Sequence, residues 1–127
     1  MVSKVKAGIV SLSAVVVLSF GLSVYAADQH TYVVKGVNTT SATSGKINGA
    51  GQYGRIDAGL AQGQNGRVSL IKSKSLWPDS TEYSIDLNSS TTYKAVDYWL
   101  EGGGTLFYLK ATGDTDDEVR GNLWNYK

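Results

Sequence analysis

Short runs of β-favouring residues, separated by turn clusters, constrain the fold of this chain more than any other feature. In the segment EYSIDL (residues 82–87), apolar and polar residues alternate, as in an antiparallel strand with one buried face. Proline occurs once, at Pro78, and no stretch after residue 26 has the period of an amphipathic helix. The pattern predicts an all-β fold, an antiparallel β-sandwich of about seven strands, with a small β-barrel as the alternative.

Several strands and turns can be placed individually. Residues 31–34, 93–101 and 105–113 are predicted strands, and VRGNLWNYK (119–127) is the last one. Asn65-Gly66 suits a two-residue turn, because both residue types tolerate positive φ, so residues 53–63 and 67–74 are predicted to form a hairpin. EGGGT (101–105) is predicted to be a second hairpin loop, and VNTTSATSGK (37–46) a loop or a weakly specified edge segment.

Glycines are frequent between residues 49 and 63, where two interpretations compete. A phosphate-binding loop would end in Gly-Lys-Ser/Thr and open a helix, and this segment does neither. Strand bulges or close backbone approach explain the glycines better.

The first 26 residues differ sharply from the rest. Lys4 and Lys6 precede an apolar run (7–22), and small residues at 26 and 27 follow it. This is the pattern of a secretory signal peptide cleaved after Ala26, with a retained transmembrane anchor as the alternative. We therefore expect a signal peptide at 1–26, a single β domain at 27–127 without a transmembrane segment, and a secreted, extracellular product.

Composition narrows the chemistry available to the domain. Residues 27–127 carry ten basic and eleven acidic side chains without a basic cluster, which argues against a nucleic-acid partner. There is no cysteine, which fits bacterial export, and the one histidine, His30, is expected to be an exposed residue near a chain end. Neither a zinc site nor a Ser-His-Asp triad is indicated, so we expect no enzymatic activity, metal or cofactor.

Two alternatives involving carboxylates stay open. The acidic turn GDTDDE (113–118) could hold Ca²⁺, although it lacks the spacing of an EF-hand. A small hydrolase would need two close carboxylates in a cleft, one of them with a raised pKa.

Eleven aromatic residues follow position 26, and they are the main functional clue. Most are expected to pack in the core, because phenylalanine occurs only once there; the alternative is a surface cluster for binding. Trp77, beside Pro78 in a turn, is expected to be exposed, and the strand neighbours Tyr98 and Trp99 must face opposite sides. The predicted binding residues are Trp77, Tyr98, Trp99 and Trp124.

Together these features predict a small secreted binding protein. Its partner would be an extracellular glycan, a cell-envelope component or a protein. A secreted antibacterial protein resembling a bacteriocin is the alternative from another class, although neither a positive net charge nor an amphipathic helix is visible after residue 26.

Overall fold

The computed structural model describes residues 27–127, and the predicted signal peptide with its cleavage site lies outside this part. Nine strands run through the described residues: β1 (His30–Lys35), β2 (Ser41–Thr43), β3 (Ile47–Asn48), β4 (Gln52–Gln62), β5 (Asn65–Ser73), β6 (Ser80–Asn88), β7 (Tyr93–Leu100), β8 (Leu106–Thr112) and β9 (Glu118–Trp124). No helix that could cross a bilayer occurs among these residues.

The strands form two antiparallel sheets. Sheet 1 has the order β1-β9-β4-β7, and sheet 2 has the order β2-β8-β5-β6, with β3 also paired to β8. This confirms the predicted all-β sandwich. The two strands beyond the predicted seven are the short β2 and β3, which lie in or next to the segment predicted as a loop or weak edge.

The core between the sheets is almost entirely aliphatic. Strands β1, β4, β8 and β9 bury alternate residues, which in β8 are Phe107, Leu109 and Ala111. Phe107 is the one fully buried aromatic residue of the core in residues 27–127, whereas Tyr83 and Tyr98 only pack partly against it. The expectation that most aromatics form the core is therefore wrong, because Val, Leu and Ile fill the space between the sheets.

The connections differ from the predicted hairpins. β4 belongs to sheet 1 and β5 to sheet 2, so the chain between them crosses from one sheet to the other. Asn65-Gly66 does not form the turn: both residues pair with β6, and the turn has Gly63 at φ 99°. The N–H of Gln64 donates to the Asp117 carboxylate at 2.9 Å. This hydrogen bond holds the β4–β5 turn against the residue that precedes β9.

The EGGGT segment also crosses between sheets, because β7 lies in sheet 1 and β8 in sheet 2. Gly103 and Gly104 have φ values of 75° and 88°, which glycine adopts readily. Among the nine described strands, β5 and β6 are the consecutive strands that pair with each other. Apart from Asn65-Gly66, the turns were located correctly by residue type, but the sheet that each strand joins was not.

Candidate functional site

The outer face of sheet 1 carries the largest group of exposed aromatic side chains in the described part of the chain. Alternation within each strand sends one set of side chains into the core and the other outward. The outward set contains five aromatic residues from all four strands: Tyr32, Tyr53, Tyr93, Trp99 and Trp124.

Strand register brings these rings together across the sheet. Trp124 on β9 lies opposite His30 on β1, and their rings stack with centroids 4.8 Å apart. Tyr53 on β4 lies opposite Trp99 on β7, and these rings meet edge to face at 5.3 Å. Such aromatic contacts hold the rings in place while one surface of each stays accessible to solvent.

A chain of hydrogen bonds crosses the middle of this face. Asn122 donates through Nδ2 to Asp57 Oδ1 at 2.9 Å, and its Oδ1 lies 2.9 Å from His30 Nε2. The Tyr93 hydroxyl donates to Asp57 Oδ2 at 3.2 Å. A carboxylate only accepts, so the Asn122 amide must present its oxygen to His30, and Nε2 is the protonated nitrogen of that ring. Asp57 is thereby held from two sides.

A notch adjoins Asp57 because its neighbours on this face are small. Ala95 lies opposite Asp57, and Gly59 follows two residues along β4. A Cβ atom placed at Gly59 would meet nothing closer than the carbonyl oxygen of Thr92, at 3.9 Å. The aromatic side chain of Tyr93, opposite Gly59, forms one wall of the notch.

Charges on the outer face of sheet 1 are nearly balanced. Arg120 forms an ion pair with Glu118, and Lys127 forms one with Asp97 at 2.9 Å. Arg55 lies in register between Trp124 and Asp97 and makes no ion pair within residues 27–127. The face therefore combines aromatic surfaces with a carboxylate acceptor and a guanidinium donor.

The four predicted binding residues lie in three different places. Trp99 and Trp124 are on the outer face of sheet 1. Tyr98 points inward, packs against Tyr83 with centroids 5.5 Å apart and donates to the Glu82 carbonyl at 3.2 Å. Trp77 is exposed, as expected, but lies in the β5–β6 loop that joins two strands of sheet 2.

Sequence reasoning missed the role of His30 and six further residues of this face, which are Tyr32, Tyr53, Arg55, Asp57, Tyr93 and Asn122. His30 is exposed, as predicted, but it belongs to β1 and is stacked and hydrogen-bonded instead of lying in a frayed end. In β4, Ile56, Ala58 and Leu60 point into the core, and alternation therefore places Asp57 on the outer side of the strand. The strand partners that surround Asp57 could not be read from one sequence.

The acidic turn between β8 and β9 is held by a lysine of β1. Lys35 is fully buried, and its ammonium donates to the carbonyl oxygens of Asp114 and Asp117. Hydrogen bonds from the N–H groups of Gln64 and Asp114 hold the pKa of Asp117 below its ordinary value. No group of three candidate metal ligands occurs among residues 27–127, and in this turn the lysine ammonium provides the positive charge.

A cavity of about 330 Å³ lies beside this turn and is lined by Asp86, Asp114 and Asp117 among others. A carboxyl that acts as a general acid needs a raised pKa. The two carboxylates with shifted pKa values in residues 27–127, Asp79 and Asp117, are both shifted downward. Asp117, the one of these two that lines the cavity, is thus shifted away from the direction that a general acid needs.

Comparison with known proteins gives little further information. No protein-family model matches the sequence, and no curated protein matches it. The fold is similar to the solved structure of TmCBM61 in complex with beta-1,4-galactotriose, with a TM-score of 0.39 and 13% identity. The similarity covers 72% of this chain and 65% of that chain, so less than two thirds of the other protein is spanned. A likeness this weak tells nothing about activity, which has to be inferred from the outer face of sheet 1.

Proposed function

We propose that this protein binds a carbohydrate chain on the outer face of sheet 1 and does not alter it chemically. The observation that carries the proposal is that one exposed sheet face presents five aromatic side chains together with a carboxylate that is held by hydrogen bonds. Aromatic rings offer flat apolar surfaces, and a sugar ring has a complementary apolar face. The hydroxyl groups at the sugar's edge need acceptors and donors, which Asp57 and Arg55 provide.

Preorganisation supports the same proposal. Asp57 is held by Asn122 and Tyr93, and Trp124 by its stacking on His30, before any ligand arrives. Polar groups that are already oriented lose less conformational entropy on binding. Strands also place side chains more rigidly than loops do, which suits a shallow binding face.

The ligand that fits best is a neutral chain of several sugars. From Tyr32 through Trp124 to the pair Tyr53 and Trp99, the aromatics follow a diagonal from β1 to β7. From strand spacing and rise, this diagonal is about 20 Å long, and one sugar ring would cover only part of it. Since the ion pairs on the face are balanced, an acidic polysaccharide gains no net attraction from them.

We propose that this binding takes place outside the cell, on a glycan of a cell envelope or of the surroundings. Support comes from the sequence of residues 1–26, with two lysines, an apolar run and small residues at its end. Mass determination of the protein recovered from culture medium tests this part: a chain beginning at residue 27 is expected. Recovery only from cells, with residues 1–26 retained, would contradict it.

Affinity electrophoresis tests the binding itself. Residues 27–127, which contain both sheets and the whole described core, are run in gels containing neutral polysaccharides (β-glucan, galactan, xylan, mannan) or polygalacturonate. We expect retardation by one neutral polysaccharide. Trp124→Ala should weaken it about tenfold or more, because the loss of one anchor aromatic commonly has this effect.

The matched control for this experiment is Trp77→Ala. It also removes an exposed tryptophan, but from a loop outside the outer face of sheet 1, and should leave retardation unchanged. Equal loss in both variants, or retardation by no polysaccharide at all, would refute carbohydrate binding by this face.

A further inference from the structure

Leu76 and Trp77 are the most exposed large apolar side chains among residues 27–127. Their exposed fractions are 87% and 73%, and they are neighbours in the loop 74–79 between β5 and β6. We call this pair the apolar tip. It belongs neither to the core nor to the outer face of sheet 1. Apolar groups that project together into water commonly mark a surface that another phase or molecule covers.

The loop that carries the apolar tip is anchored at its base. The Asp79 carboxylate accepts the N–H of Lys74 at 3.0 Å and the hydroxyl of Tyr108 at 2.7 Å. These hydrogen bonds lower the pKa of Asp79 and raise that of Tyr108. Pro78, directly after the tip, restricts φ at its own position. The tip is thus presented by a closed loop whose two ends are held together.

The apolar tip projects from the end of the sandwich at which Ala27 lies. Asn125 Nδ2 donates to the carbonyl oxygens of both Ala27 and Asn48, each at 2.9 Å. Asn48 pairs with Leu106, and Leu106 pairs with Ser73, the last residue before the tip loop. The first described residue of the domain therefore lies at the same end of the sandwich as Leu76 and Trp77.

We propose that the apolar tip inserts into the interface of a lipid bilayer and holds this end of the sandwich against a membrane. Tryptophan favours the membrane–water interface, where its ring is apolar and its N–H can still find an acceptor. Leu76 has no group for hydrogen bonding to a sugar. A side chain that projects this far into solvent can be covered completely only by a fluid lipid layer or by a deep pocket of another protein.

The surroundings of the tip suit a membrane interface. Lys74 lies in the same loop, and Lys46 Nζ is 5.8 Å from the centre of the Tyr108 ring at its base. Both ammonium groups can reach lipid phosphates while their methylene chains cover apolar surface. The nearby carboxylate of Asp79 is already engaged by two donors. The outer face of sheet 1 does not contain these residues, so the inference is independent of carbohydrate binding.

Co-sedimentation with lipid vesicles tests the apolar tip. Residues 27–127, with folding checked by circular dichroism, are mixed with vesicles of equal parts phosphatidylcholine and phosphatidylglycerol. We expect the domain to sediment with them. The partition coefficient of the double variant Leu76→Ser, Trp77→Ser should be lower by about tenfold or more, because its inserted apolar area is lost. Its melting temperature should be unchanged, since neither side chain belongs to the core.

The matched control is Val34→Ser, Val37→Ser. It removes two exposed apolar side chains at the other end of β1, where Lys35 approaches the acidic turn, and should keep vesicle binding. Trp124→Ala should also keep it. Equal sedimentation of the tip variant and the parent, or no sedimentation of the parent, would overturn the proposal. So would tip-dependent capture by a polysaccharide or a protein in place of vesicles.

Discussion

Gly54 and Gly59 lie in the same strand, β4, and have opposite roles. Gly54 points inward, where a Cβ atom would overlap the carbonyl oxygen of Trp124 and contact the Leu100 side chain at 2.5 Å. Gly59 points outward into the notch beside Asp57, where a Cβ atom has room. One glycine permits the packing of the sandwich, and the other keeps space open on the outer face of sheet 1.

Gly59→Leu should therefore block carbohydrate binding and leave the fold intact, because its side chain would fill the notch. Gly54→Ala should lower the free energy of unfolding by about 2 kcal/mol, since overpacking is costly when backbone must move. Thermal melting and affinity electrophoresis of both variants check this. Unchanged polysaccharide retardation for Gly59→Leu would show that the ligand does not use the notch.

The connection between β8 and β9 is the element that ties the two sheets together at one end. Lys35 reaches it from β1 and donates to two of its carbonyl oxygens. Asp117 joins it to the β4–β5 turn by accepting the N–H groups of Gln64 and Asp114. One buried lysine and one carboxylate therefore hold together the β8–β9 connection, the β4–β5 turn and strand β1.

Lys35→Met should lower the free energy of unfolding by about 3 kcal/mol, because two carbonyl oxygens lose a charged donor in a buried place. Urea unfolding followed by tryptophan fluorescence measures this. Lys110→Met, at an exposed position of β8, is the control and should change stability little. Equal stability of the two variants would mean that the Lys35 hydrogen bonds contribute nothing.

The lowered pKa of Asp117 also makes stability depend on pH. A carboxyl whose pKa is lower in the folded state stabilises the fold above its unfolded pKa, which is about 3.9 for aspartate. This contribution disappears as pH falls through the folded pKa. We expect the melting temperature to fall on acidification below about pH 4, and to fall less in Asp117→Asn. An equally steep fall in that variant would assign the pH dependence to other groups.

In the whole molecule, the two proposed binding surfaces lie on different parts of the sandwich. The aromatic outer face belongs to sheet 1, while the apolar tip projects from a hairpin of sheet 2 at one end. If that end of the domain contacts a membrane, the outer face of sheet 1 is roughly perpendicular to the membrane plane. A polysaccharide next to the membrane can then reach it. The two proposed contacts can therefore exist at the same time.

Affinity should depend on the length of the sugar chain. If the aromatic diagonal from Tyr32 to Trp99 is used along its whole length, the Kd should decrease from disaccharide to pentasaccharide and then level off. Isothermal titration calorimetry with a length series of the retarding polysaccharide measures this. Equal Kd values for all lengths would restrict the site to one or two rings.

The fold class could be predicted from local pattern, whereas the site could not. Alternation in EYSIDL correctly predicted that Tyr83, Ile85 and Leu87 share the inner face of β6. The Asn65-Gly66 hairpin was wrong, because both residues lie in β5 and pair with β6, and the chain before them crosses between the sheets. Asp57, Asn122 and His30 are up to 92 residues apart in the sequence, so no local pattern connects them.

The sequence by itself determined the β period, most of the turn positions and the side of each strand that a residue occupies. The side chain of Trp99 points away from that of Tyr98 because successive residues of a strand face opposite sides. Only the tertiary structure decided which strands became neighbours, and thereby which outward residues form one face. The physical reason is that alternation is set by the backbone geometry of a single strand, while pairing depends on how two sheets bury a common core.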